Sequence, residues 1–215
     1  MKNTIVFIIC AVSILNAQDA NTVTIMTNKS NITEQDYIEA AKRLNVEVAF
    51  IKAIAKKEAK SSGFNTGGTP VILYERHKFH QKTKGIYSAK YPDISNKVPG
   101  GYGKYSEQHS KLARAVQLNR TAALESCSWG LFQVMGENWM DLGYKSIQDF
   151  VNAMYRSEKD QLEAFVRFIL FKKIDVDMRN KNFDNIALKY NGPNHAKNNY
   201  VPELKALYKQ FGGKL

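Results

Sequence analysis

Apolar residues recur at helical spacing through most of the 215-residue chain, and this periodicity sets the tightest limit on its fold. Phe50, Ile51, Ile54 and Ala55 form one stripe; Phe165, Phe168 and Ile169 mark a second; Leu204, Leu207 and Tyr208 mark a third. Thr33 is placed to cap a helix running to about Asn45, with Ile32 and Tyr37 spaced to staple its start. A second helix is predicted from Val46 to about Lys60, ended by Gly63, Gly67 and Gly68. Residues 70–74 are the best strand candidate. Residues 81–105 carry Gly85, Pro92, Pro99, Gly100, Gly101 and Gly103 with Tyr87, Tyr91, Tyr102 and Tyr105, and lack a helical period. A loop of that length inside a compact domain usually serves function. From Ser106 onward helical patterns return, with Ser146 capping one helix and breaks near Gly143, Lys173 and Gly192. With no internal repeat or second composition regime, one mainly helical domain is expected.

The N-terminus is set apart. Lys2 precedes an apolar stretch over residues 5–17, interrupted only by Ser13 and Asn16. Its length suits the core of an export signal and falls short of the ~20 residues that span a bilayer. The expectation is a signal peptide over residues 1–17, cleaved after Ala17 or kept as an anchor that later releases. An extended segment over 18–32 and the domain proper over 33–215 follow. Cys10 falls within the signal, so Cys127 would be the only cysteine of the mature chain and no intramolecular disulfide is possible. Cys127 reads as packing rather than as a nucleophile. Thirty-one Lys and Arg against 20 Asp and Glu give a net charge of +11. That excess restricts partners to nucleic acid, an anionic membrane surface or an anionic polymer such as a cell wall.

Three stretches can carry chemistry. Glu58 follows Ile54 by four residues and Ile51 by seven, so it shares the apolar face at the end of its helix. A carboxyl at the edge of a core is desolvated, its pKa rises, and it can serve as a general acid near neutrality. Position alone equally allows a surface glutamate neutralised by Lys57 or Lys60. In Ser128-Trp129-Gly130-Leu131-Phe132-Gln133, the glycine permits close backbone approach and Gln133 requires a partner if buried; core packing is the favoured reading of this stretch alone. Lys189-Tyr190-Asn191-Gly192-Pro193 is ordinary helix-stop chemistry, or a way to aim the Tyr190 hydroxyl and the Asn191 amide at a cleft. His77, His80, His109 and His195 lack metal-ligand spacing, and no phosphate loop or nucleic-acid motif is visible, so neither metal nor cofactor is expected.

Together, Glu58 with Ser61-Ser62-Gly63, then Gly130-Leu131-Phe132-Gln133, then Tyr190-Asn191-Gly192 resemble the three ordered motifs of goose-type lysozymes and lytic transglycosylases. The intervening text is closer still to the N-acetylmuramidase domain of phage endolysins and related bacterial proteins. Ile72-Leu73-Tyr74-Glu75-Arg76-His77, the run from Ala123 through Gly136, and Tyr190-Asn191-Gly192-Pro193 carry that resemblance, which covers roughly residues 33–210. It implies a mainly α, α+β lysozyme-like fold, with a helical lobe and a small β-hairpin and loop lobe flanking a substrate cleft. It also implies a muramidase cleaving the β-1,4 bond between N-acetylmuramic acid and N-acetylglucosamine, with Glu58 as acid. Glu75 is the first candidate for a second catalytic carboxylate, with a structural ion pair to Arg76 as its alternative. Glu125 ranks next, or holds a helix end instead. Ser61, Glu125, Gln133, Tyr190 and Asn191 would contact substrate. Where the family usually has Glu-Ser-Gly-Gly, this chain has Glu58-Ala59-Lys60-Ser61-Ser62-Gly63, a longer or shifted turn. The loop tyrosines either stack on sugar rings or pin the loop. A lytic transglycosylase leaving 1,6-anhydro ends, or a non-catalytic wall-binding protein on the same fold, are the alternatives. The expected partner is a peptidoglycan glycan strand, met by an exported monomer in the periplasm or outside the cell, with no nucleic acid and no stable membrane span.

Overall fold

A computed structural model of the protein describes residues 31–58, 62–193, 196 and 199–215. The predicted signal over 1–17, most of the 18–32 segment, Ser61 and His195 lie outside the described residues. Among the described residues the chain forms ten α-helices and one three-stranded antiparallel sheet.

Helix α1 (Glu34–Leu44) begins at Thr33, whose hydroxyl accepts from the Asp36 N–H while Asp36 answers with the Thr33 N–H, a reciprocal cap. Asn45, in the left-handed conformation, ends it. Helix α2 (Val48–Glu58) starts two residues later than its apolar stripe suggests and buries Phe50, Ile51 and Ile54. Strand β1 (Ile72–Tyr74) pairs antiparallel with β2 (Cys127–Trp129), which pairs with β3 (Val134–Met135). The sequence reading of a single strand missed β2 and β3. Strands of two or three residues are too short to show alternation, and all three residues of β2 are buried.

Helix α3 (Arg76–Lys82) departs from the sequence reading, which left the Glu75-Arg76-His77 run without a helix. Residues 83–104 then form the expected irregular loop, followed by a 3-10 turn (Tyr105–Glu107), α4 (Gln108–Leu118) and α5 (Arg120–Glu125). Helices α6 (Ile147–Arg156), α7 (Glu158–Phe171), α8 (Ile174–Arg179), α9 (Phe183–Asn191) and α10 (Tyr200–Gln210) complete the helical lobe. The expected breaks fall at Gly143, at left-handed Lys173 and at Gly192. Helix α10 folds back along α2, with the Tyr208 ring tilted against Phe50 at 4.2 Å between centroids. In the centre, Phe165 of α7 stacks on Phe132 at 4.4 Å. The chain is thus mainly helical with a small β lobe joined through α7. Among the described residues no helix is long and apolar enough to cross a membrane.

Candidate active site

Helix α2 ends on Glu58 at a cleft of about 970 Å³. One wall is the 62–71 connection, contributing Ser62, Phe64, Asn65, Thr69 and Val71; the other is the 3-10 turn and the start of α4, with Tyr105, Ser106 and His109, and Tyr155 of α6 closes one side. His109 Nε2 lies 2.8 Å from the Pro70 carbonyl, which can only accept, so the ring hydrogen sits on that nitrogen and the two walls are joined. Among the described residues that line the cleft, Glu58 is the only carboxylate.

Burial raises the Glu58 pKa above the usual carboxylate range. Two weaker influences oppose it: the hydroxyl of Tyr200, which donates to Glu58 Oε1 at 2.7 Å, and the charge of Lys57. Lys57 places its ammonium 4.5 Å from the Tyr200 ring centroid and pairs with Glu203 of α10. The three side chains form a packed acid, phenol and ammonium group at the α2–α10 contact. Because Tyr200 donates to Oε1, a proton on the carboxyl belongs to the other oxygen, Oε2, which has no hydrogen bond among the described residues.

The turn after Glu58 and the Gly130-Leu131 stretch are both held by the start of α7. Glu158, buried, accepts from the Gly63 N–H at 2.7 Å and the Ser62 hydroxyl at 2.8 Å. Gln161, one turn on, accepts from the Leu131 N–H at 2.7 Å and donates to the Met154 carbonyl at 2.9 Å and the Gly63 carbonyl at 3.4 Å. A Cβ on Gly63 would lie 1.9 Å from Gln161 Oε1, and one on Gly130 would lie 2.5 Å from Gln161 Cδ. Both glycines are therefore spaces for the Gln161 amide, and Gly130 also takes a φ of +73°. The third stretch closes the ring: the Tyr190 hydroxyl donates to the Phe132 carbonyl at 2.6 Å. Burial, then the negative field of Glu58, lifts the Tyr190 pKa well above its usual value.

The sequence matches the N-acetylmuramidase family, Muramidase, over residues 47–212. The chain belongs to this family. Among solved structures it is similar to the Burkholderia AP3 phage endolysin crystal structure, at 40% identity and a TM-score of 0.77, the match covering 84% of this chain and 70% of the endolysin chain. No curated protein matches.

In this N-acetylmuramidase-family chain the predicted site residues separate into two groups. Glu58 lies in the cleft, and Tyr190 is close enough for their charges to interact. Gln133, left-handed at φ 47°, is one layer behind: it accepts from the Ser128 hydroxyl and donates to the Gly130 carbonyl, both at 2.8 Å, and reaches the Val71 carbonyl at 3.5 Å. It thereby shapes the turn and steadies Val71 in the wall. Asn191 is exposed at the end of α9 and is not among the cleft-lining residues.

Glu75 and Glu125 belong elsewhere. Strand β1 separates Val71 from Glu75 by four residues, about 13 Å of extended chain, and Glu75 does not line the cleft. Its carboxyl, raised in pKa by burial, faces the Tyr102 hydroxyl and lies 3.1 Å from His77 Nδ1 without good hydrogen-bond alignment. Glu125 accepts from Trp139 Nε1 at 2.9 Å and pairs with Lys82 at 3.1 Å. Sequence reasoning missed Tyr200, Glu158 and Gln161. Only a cap signal at Ser157 marks the start of α7, and nothing local shows what its first turn meets.

Proposed function

We propose that the protein is a peptidoglycan muramidase in which Glu58 is the general acid. The observation that carries this reading is a carboxyl lining a cleft, with raised pKa, its Oε1 engaged by Tyr200 and its Oε2 without a hydrogen bond among the described residues. A glycan strand in the cleft would present the oxygen joining C1 of N-acetylmuramic acid to C4 of N-acetylglucosamine. Glu58 Oε2 donates its proton to that oxygen, the C1–O bond breaks with its electron pair moving to oxygen, and positive charge develops at C1. Water adding at C1 and releasing its proton completes hydrolysis. The location of Glu58 at the C-terminal end of α2 supports the neutral acid, since the helix dipole disfavours a negative charge there. The sequence-predicted export signal would bring the chain to its polymer.

One observation favours a second outcome on the same site. With Glu58 the sole carboxylate among the described lining residues, the carboxylate left after proton transfer is positioned to take a proton back. If it takes that proton from the 6-hydroxyl of the same muramyl residue, O6 bonds to C1 and a 1,6-anhydro end results.

The test is Glu58→Gln, which keeps the shape and removes the acid. Turbidity loss of isolated sacculi should fall by roughly 10²–10⁴-fold, with the thermal melt retained; lysis at the wild-type rate refutes the acid assignment. Mass spectrometry of the released muropeptides then separates reducing ends from 1,6-anhydro ends.

A further inference from the structure

Of the four tyrosines in the long loop and its exit, three turn inward. Tyr87 donates to the Leu118 carbonyl at 2.8 Å and stacks on Phe79. Tyr91 is packed against the core, and burial, then the facing Glu75, pushes the Tyr102 pKa up to about 12. Tyr105 differs: its side chain is 70% exposed, yet it lines the cleft that holds Glu58.

The backbone beneath Tyr105 is bolted down on both sides. Gln108, 1% exposed, accepts from the Tyr74 N–H at 2.9 Å and donates to the carbonyls of Tyr102 at 2.7 Å and Lys104 at 3.0 Å. The Arg76 guanidinium lies on Gly101, where a Cβ would come within 2.3 Å of its carbon, and the Arg76 carbonyl accepts from the Asn96 N–H at 3.2 Å. Gly100, Gly101 and Gly103, at φ +88°, +68° and +71°, let the chain wrap this closely. With the backbone held, only the side-chain rotamer of Tyr105 remains to be ordered on binding.

We propose that Tyr105 is a sugar-stacking platform of the cleft, and that Glu75, Arg76 and Gln108 are positioning residues that hold the loop presenting it. The ligand class is a β-1,4-linked amino-sugar strand, one pyranose of which lays its C–H face on the ring away from the bond to be cleaved. Tyr155, on the same cleft and backed by Trp129 at 6.3 Å, offers a second aromatic face. The Tyr74-Glu75-Arg76 stretch thus contributes to substrate recognition from outside the cleft. This rests on the muramidase reading above.

Binding of amidase-released peptidoglycan glycan strands is measured by calorimetry in the full chain carrying Glu58→Gln, so that no turnover intervenes. Adding Tyr105→Ala should weaken binding roughly 3–10-fold, while Tyr105→Trp restores it. In the active chain Tyr105→Ala and Tyr102→Phe should act on KM rather than on kcat, Tyr102→Phe less strongly. Unchanged affinity in Tyr105→Ala, or a loss confined to kcat, overturns the platform. A Tyr102→Phe chain with wild-type KM overturns the loop-holding role. Failure of the Glu58→Gln chain itself to bind strands overturns both this inference and the reading of the cleft, whereas lysis by Glu58→Gln sinks the acid assignment alone, and the platform is then judged by the KM of Tyr105→Ala in the active chain.

Discussion

At the scale of single residues the site turns on the opposed influences that act on the buried carboxyl of Glu58. Desolvation raises its pKa; the Tyr200 hydroxyl and the Lys57 charge hold it from rising further. The hydroxyl favours the charged form of the carboxyl, so its removal in Tyr200→Phe must raise the Glu58 pKa still more. On the proposed reading Glu58 acts as an acid only when protonated, so the alkaline limb of the kcat profile of that variant should move to higher pH. The maximal rate should fall, because Oε1 is no longer fixed and the proton is less firmly assigned to Oε2. A pH–rate series on solubilised glycan checks both; an alkaline limb that stays put or moves to lower pH contradicts the assignment. The desolvated place of Glu58 at the edge of the core was legible in the sequence, from its position on an apolar stripe; its role is the proposal above. Tyr200 was not legible, because its bond to Glu58 spans 142 positions and depends on α10 folding back along α2.

At the scale of elements, the first turn of α7 organises the site. Glu158 and Gln161 together hold Ser62, Gly63 and Leu131, the backbone of two of the three stretches recognised in the sequence. Gln161→Leu would leave the Leu131 N–H and the Met154 and Gly63 carbonyls without this partner. At about 1–3 kcal/mol for a buried polar group left unmet, the loss should be near 3 kcal/mol or more. For a chain of this size that corresponds to a melting point lower by roughly 6–12 °C, read by circular dichroism, and to a lytic rate that falls even at temperatures where the variant stays folded. A melt within 2 °C of wild type, as an order-of-magnitude threshold, would show that the glycines of these stretches are not there for this amide. The helices were largely readable, since caps such as Thr33 and Ser146 and apolar periods are local signals. Strands β2 and β3 and helix α3 were not. Each is short, and β2 exists because Tyr74, Leu73 and Ile72 pair with Cys127, Ser128 and Trp129 across more than fifty residues of chain.

At the scale of the whole molecule, the net charge of +11 admitted several anionic partners, and membership of the N-acetylmuramidase family narrows them to peptidoglycan. Much of the basic surface is already engaged: Arg43 and Arg167 share Glu163, Arg114 holds Asp93, and Lys78 and Lys82 flank Glu137. The net positive charge sets up a long-range field, and such a field acts on encounter more than on the bound complex. Peptidoglycan carries lactyl and peptide carboxylates, so the field should raise the local concentration of enzyme at a sacculus. Screening shortens its reach from about 10 Å at 0.1 M salt to about 3 Å at 1 M. The lytic rate at limiting sacculus concentration should therefore drop by roughly tenfold across that range, with the change in KM and little in kcat. Co-sedimentation of the Glu58→Gln protein with sacculi should weaken in parallel. A kcat that falls with salt while co-sedimentation holds would instead mean that charge acts inside the cleft, where Glu58 is the only carboxylate among the described lining residues and His109 is tied to Pro70.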